Sequence, residues 1–508
     1  MTDLLDARVA SGTHPNPAGA GATKGTHQDG YFFTSIEDFP PGIGDLGLTH
    51  DDVQGFYEYT GQFTAPNGWY RDGSVGQWIY EETYDNWLDD YGFDSATVVY
   101  HSGHGGMDGN GVFHLPVGND WGGDHWTSSN DMRLGNERAR YVFWSTCESL
   151  RVKAGHTPIR TWGAANLGLR MIFGYETISY DNGDYGRFFF DEWKKGKSFS
   201  TAFLDASWRI SHGQEPSVTA CGATQAEASD RLFNERFFNG TQASTAWWWW
   251  RWYDMARGRA RNLSVPTGAR SAKLGTAAAR DLTDAWTDRF GDNSLQLALS
   301  ADGSREVTLA EPAQTSRQLT DDEAVAVARR AIEQYGLSDH VELVLDDIRY
   351  DRHAGGSRDE LVEAQVRERT IGFVQLIDGV PVVTPDRGRV QVRVDNESNV
   401  TGISDSTRAV EDVRDGGAFP APPESASRGY TASGPSSIDE LLDDSLQRRL
   451  RRAAAGGRVP SAVRTVPEAT EVGYAVRGDA ALLVARREVE LDFGSGLAKR
   501  YVLEEPIV

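Results

Sequence analysis

Val98-Val99-Tyr100-His101-Ser102-Gly103-His104-Gly105-Gly106 and Tyr141-Val142-Phe143-Trp144-Ser145-Thr146-Cys147-Glu148-Ser149 decide the fold. Each is a short apolar run that ends abruptly in reactive chemistry. Ala96 to Tyr100 and Tyr141 to Trp144 are rich in β-branched and aromatic residues, the composition of strands buried on both faces of a parallel sheet. In open α/β sheets the ligand crevice lies beyond the carboxyl ends of the strands. His104 at one such end and Cys147 at the next then form a thiol–imidazole dyad. A free thiol is mostly protonated at neutral pH, so a nucleophilic Cys147 needs the base that His104 supplies. The backbone amides of Gly105 and Cys147 are placed to steady a developing oxyanion.

A third block lies downstream. Met171-Ile172-Phe173-Gly174-Tyr175 reads as the next strand, and Arg187 to Trp193, followed by Gly196, Ser198, Ala202 and Ala206, reads as a helix pair. In order and spacing, residues from about Gly30 to Ile210 resemble the caspase-like superfamily of cysteine peptidases, which includes legumains, gingipains, metacaspases and separases. His104-Gly105 and Thr146-Cys147 match its two motif positions, and Cys147-Glu148-Ser149 is similar to the Cys-Glu-Ser of legumains. The resemblance implies an α/β fold with a mostly parallel sheet flanked by helices, and a cysteine endopeptidase acting on protein or peptide substrates without a cofactor. Glu148, Asp181 and Asp184 are candidates for the substrate pocket. Metacaspases carry an acidic residue two before the nucleophile; Ser145 stands there, so that motif gives no argument for basic specificity.

Composition narrows the field. The 508 residues accommodate two to four domains. A formal charge of −23 argues against nonspecific nucleic-acid binding, which phosphate attraction dominates. Only seven of the 51 basic residues are lysine, and this bias beside many acidic residues points to a high-salt, haloarchaeal source. Two cysteines, Cys147 and Cys221, exclude a disulfide framework, and Cys221 reads as a small buried or loop residue. No Sec-type signal or membrane-spanning run is present, so the default expectation is a cytoplasmic protein with no membrane partner.

Along the chain, residues 1–29 read as a flexible N-terminus and 30–253 as the catalytic domain. Within the latter, Asp51-Asp52 start a helix through Phe63, Val75 to Tyr91 has mixed helical spacing, and Met107 to Arg140 reads as a long loop lining the crevice. The run Trp247-Trp248-Trp249-Trp250-Arg251-Trp252-Tyr253 cannot face one side of any element, so part of it needs a second covering layer. It reads as an interdomain or core-flanking segment, with a groove wall or self-association surface as the alternative. Residues 254–318 read as a bridge. Thr320-Asp321-Asp322-Glu323 opens an amphipathic helix that Gly336 ends. Strands follow at Val341 to Leu345, Glu363 to Arg369, Phe373 to Ile377 and Arg389 to Val394, with an Asp378-Gly379 hairpin turn. Residues 319–410 thereby resemble the small α+β propeptide-type domains found beside secreted peptidases, which implies an intramolecular inhibitor or chaperone. Residues 411–437 read as a flexible linker, and 438–508 as a helix followed by strands.

Two other functions compete with the peptidase. His101, His104, His114 and His125 lie near Asp108, Asp120 and Asp124, which raises a metal-dependent hydrolase, although the helical spacing of zinc-protease motifs is absent and no metal ligand set is assigned. The other is a catalytically inactive caspase-like module used for binding.

Overall fold

Alternation within the apolar blocks sets the central sheet. Tyr141 and Phe143 face one side with Tyr100 and Phe173, while Val142 and Trp144 face the other with Val99 and Ile172. Both faces therefore need a cover, and helices supply it. The computed structural model describes residues 30–118, 120, 124–257, 270–275, 286, 290, 296–300, 303–313, 315–415, 437–455 and 460–507. The expected flexible N-terminus, much of the 254–318 bridge and most of the 411–437 linker lie outside the described residues.

Strands β1 (Tyr31–Ser35), β2 (Gly68–Arg71), β3 (Val98–Ser102), β7 (Tyr141–Ser145) and β8 (Met171–Tyr175) are parallel, in the spatial order β2-β1-β3-β7-β8. β9 (Pro216–Gly222) joins antiparallel to β8, and β10 (Trp247–Arg257) antiparallel to β9. Helices α1 (Thr49–Thr60), α4 (Tyr185–Lys194) and α5 (Phe199–Ile210) close one face through Phe56, Phe189, Phe190 and Phe203. The other face is closed by Ile79, Leu88, Phe93 and Trp162, carried by short turns, α2 (Asp85–Tyr91) and α3 (Pro158–Trp162).

Two expectations in this half need correcting. Val75 to Tyr91 is not one helix: it forms two 3-10 turns, Gln77–Ile79 and Glu82–Tyr84, before α2. Met107 to Arg140 is not a bare loop, because β4 (Gly106–Met107), β5 (Phe113–Pro116) and β6 (Trp126–Ser128) make a small antiparallel sheet. Its far end is anchored by the buried Asp94 carboxylate, which accepts the backbone N–H groups of Gly135, Glu137, Arg138 and Ala139 at 2.6–3.0 Å.

The tryptophan run is a strand with a neighbour on each side. β10 pairs with β9 and with β14 (Glu342–Gly356), so Trp248, Trp250 and Trp252 enter one core while Trp249 and Tyr253 enter the other. Arg251 on the same strand forms a buried bidentate pair with Asp351 of β14, 2.7 Å in each arm. β10 thus joins the N-terminal, mostly parallel strands to the following unit in one 14-stranded sheet.

That unit begins before residue 319. β11 (Arg270–Leu274), β12 (Gln296–Leu299) and β13 (Arg305–Thr308) all lie in the expected bridge; β12 and β13 extend the large sheet next to β18 (Val400–Asp405). Helix α7 (Asp321–Gln334) has the expected capping box, Thr320 with Glu323. β14 and β15 (Leu361–Ile377) are long bulged strands, and β15 merges two runs expected as separate strands. Asp378 and Gly379, with φ of 50° and 74°, turn the chain into β16 (Val380–Pro381). β17 (Arg389–Asp395) then pairs with β15 and β18.

The C-terminal strands build a separate five-stranded sheet. β19 (Val410–Asp415) pairs with β11, and β11 pairs with β21 (Ala480–Gly494), which also pairs with β20 (Ala462–Arg477) and β22 (Leu497–Pro506). Helix α8 (Ile438–Ala455) covers one face through Leu441, Leu442 and Leu446. No helix among the described residues is long and apolar enough to cross a membrane.

Candidate functional site

β3 and β7 are neighbours in register, Ser102 opposite Ser145. His104 and Cys147 each stand two residues beyond that pair, at the carboxyl edge of the parallel strands. The chain turns sharply there: Glu148 is held at φ 52°, a left-handed conformation that is uncommon away from glycine. Gly105 lies flat against this turn, and a Cβ there would come within 3.0 Å of the Thr146 Cβ and 2.7 Å of the Phe113 ring.

The His104 imidazole is fully buried. Its Nε2 lies 2.8 Å from the Gly44 carbonyl oxygen, and since a carbonyl only accepts, Nε2 carries the proton. Nδ1 therefore holds a lone pair, and it has no hydrogen-bond partner among the described residues. Burial, and then the charge of Lys499, push the His104 pKa down to about 3, so the ring is a neutral acceptor.

Cys147 is 1% exposed, and what covers it comes from the far end of the chain. The Sγ–H donates to the Ala498 carbonyl at 3.0 Å, and the Ser179 N–H donates to Sγ at 3.3 Å. Arg500 of β22 pairs in parallel with Tyr180: its N–H donates to the Ser179 carbonyl at 3.2 Å and its carbonyl accepts from Asp181 N–H at 3.1 Å. Lys499 is buried, and its ammonium donates to Ser179 Oγ at 2.9 Å. At the hairpin tip Phe493 packs edge-on against His104 with ring centroids 5.0 Å apart. Gly494, Ser495 and Gly496, all with φ between 55° and 83°, bend the chain tightly enough to set the Gly496 carbonyl against Gly106.

The tentative pocket residues separate. Asp181 belongs to the site: it is buried, accepts Gly47 and Leu48 N–H groups at 3.1 and 3.2 Å, and sits near Lys499, whose charge opposes the upward push of burial on its pKa. Glu148 is at the rim, its carboxylate 3.4 Å from Met107 N and 3.7 Å from Arg151. Asp184 is half-exposed and pairs with Arg187 at 2.7 Å on the surface of α4. Cys221 is buried in β9 beside Asn166, and burial pushes its thiol pKa well up.

The histidines also part company. His101 is in the core, its Nδ1 2.9 Å from both Thr34 Oγ1 and Tyr80 OH. His114 lies at the surface 3.7 Å from Asp108. No three His, Cys, Asp or Glu side chains among the described residues are grouped as metal ligands.

Three contributors were not legible as site residues. Asp52, expected only as a helix-start residue, is buried beneath the strand ends and accepts Tyr100 OH at 2.7 Å, Ser102 Oγ at 2.8 Å and Gly186 N–H at 2.9 Å. Ser179 and Lys499 carry no motif. The one usable signal was Gly494-Ser495-Gly496, a turn between two alternating runs that announces a hairpin without saying what it touches.

No curated protein matches the chain. Residues 34–252, the segment from the end of β1 to the middle of β10 that holds His104 and Cys147, match a family described as a domain of unknown function, DUF6345.

Proposed function

We propose that this chain is a caspase-like cysteine endopeptidase whose Cys147–His104 dyad is kept latent by its own C-terminal strands. The observation that carries the reading is that a buried thiol and an imidazole with an unpartnered Nδ1 stand at the ends of adjacent parallel strands, under a strand whose Ala498 carbonyl takes the thiol hydrogen bond. The parallel strands β2-β1-β3-β7-β8, continued by antiparallel β9 and β10 and covered by helices, support the same reading, since the resemblance implies a mostly parallel sheet flanked by helices.

In the open state the Cys147 proton passes to His104 Nδ1 and the sulfur attacks a peptide carbonyl. The Gly105 and Cys147 amides receive the oxyanion. Collapse breaks the C–N bond, His104 returns the proton to the leaving amine, and water hydrolyses the thioester with His104 as base. Propeptide-like inhibition is assigned to the final sheet, since β22 and not the 319–410 unit reaches the thiol.

The test is turnover of a peptide library by the full-length chain with the hairpin loosened. Cys147→Ala is expected to abolish cleavage and Cys221→Ala to leave it intact; cleavage that survives Cys147→Ala refutes the proposal. Truncation at residue 316 is unsuitable, because it strips β14 from β10 and β21 from β11.

A further inference from the structure

β22 is held by the site in the way a bound peptide is held. Main-chain bonds fix Arg500 between Ser179 and Asp181, as in the addition of a strand to an open edge. The side chains then alternate. Lys499 points into the site and Arg500 away, its guanidinium reaching the Gly213 carbonyl and Glu490. Lys499 is 2% exposed, and the hydrogen bond its ammonium makes is to the Ser179 hydroxyl, at 2.9 Å, rather than to a carboxylate. A lysine is almost never buried without a partner unless its surroundings are built to receive it. Those surroundings are the Ser179 hydroxyl and the Asp181 carboxylate, which two backbone amides fix in place.

We infer that the recess beside Cys147, walled by Ser179 and Asp181, is a subsite for an alkylammonium side chain, so that the substrates are extended protein segments with lysine beside the attacked carbonyl. The inference rests on the peptidase reading and deepens it. A single hydroxyl at the end of the recess suits the compact ammonium of lysine and leaves the five-donor fork of arginine underserved. The resident strand is not itself cut in this pose, because the Ala498 carbonyl oxygen, and not its carbon, meets the sulfur, where it takes the thiol hydrogen bond.

The test uses the full-length chain with Arg500→Pro, which loosens the strand. Cys147 is alkylated with iodoacetamide in the presence of acetyl-Leu-Ala-Lys-Gly-amide or its norleucine counterpart. The lysine peptide is expected to protect Cys147 about tenfold better, the effect of one charged hydrogen bond, and Ser179→Ala, which removes the hydroxyl that accepts it, to erase the difference. Equal protection by the two peptides overturns the inference. Should Arg500→Pro fail to fold, the same ratio is read on the wild-type chain over longer labelling, where strand opening scales both arms alike. Hydrolysis is scored separately: protection by the lysine peptide without cleavage upholds the subsite and refutes the peptidase, whereas cleavage with equal protection does the reverse.

Discussion

Arg500→Pro isolates the docking of β22 from the integrity of its sheet. In the β21–β22 ladder Arg500 lies opposite Glu490, but its backbone N–H and carbonyl are both directed at the site. Proline therefore removes the donor to Ser179 without removing a ladder bond, and strand positions facing away from the ladder tolerate it. The lost backbone bond contributes about 1 kcal/mol net. The guanidinium bond to the Gly213 carbonyl contributes about as much, reduced from the usual charged value because the side chain is 24% exposed. The Arg500–Glu490 pair is internal to the sheet and is lost from the closed and lifted states alike. Docking thus weakens by about 2 kcal/mol, roughly a thirtyfold increase in the lifted population. Alkylation of Cys147 under native conditions, read by mass spectrometry, reports that population, since the reagent meets the thiol only when the strand lifts. Cys221, buried in β9, is an internal control for global unfolding. The expected result is Cys147 labelling faster by that factor with Cys221 unchanged. Unchanged Cys147 labelling, or acceleration of both thiols together, would refute the latch.

The latch can also be disturbed from the other side: a Cβ on Gly44 would fall 1.8 Å from Phe493, so Gly44→Ala is expected to expel that ring and accelerate Cys147 labelling while sparing the C-terminal sheet. Asp94→Asn exchanges an acceptor of four backbone N–H groups for one with a single oxygen, and a loss of about 2–4 kcal/mol is expected in denaturant unfolding. For pH, His104 titrates near 6.5 when unfolded and near 3 when folded, so the unfolded state binds the extra proton in that window and stability falls as pH drops from 6.5 toward 3. His104→Gln should therefore flatten the stability–pH slope between pH 6 and 4 by about 1.4 kcal/mol per pH unit; an unchanged slope refutes a buried neutral imidazole.

Much of the mostly parallel half of the sheet was legible because its code is local. Met171–Tyr175 forms the expected strand residue for residue, and Thr320 caps the helix it was expected to cap. Apolar alternation and capping chemistry act over a few residues, and so a linear reading finds them. The errors fall where partners are distant. Val75 to Tyr91 has helical spacing, yet Glu82 N–H is drawn to the Asp131 carbonyl, and that long-range bond breaks the helix into turns. The four tryptophans announce burial but not its agents, β9 and β14, which pair with them from either side of the sequence. The site divides along the same line. His104, Gly105 and Cys147 became candidates because they end apolar blocks whose order and spacing can be read along the chain. What fills the site comes from about 350 residues further along, and Ala498 and Lys499 acquire meaning only when the Gly494–Gly496 turn delivers them to Ser179. If β22 acts as the proposed latch, nothing requires its residues to resemble a catalytic motif. Its requirement is to fit the groove weakly enough to leave, and a few hydrogen bonds of about 1 kcal/mol each meet that requirement better than a conspicuous apolar plug.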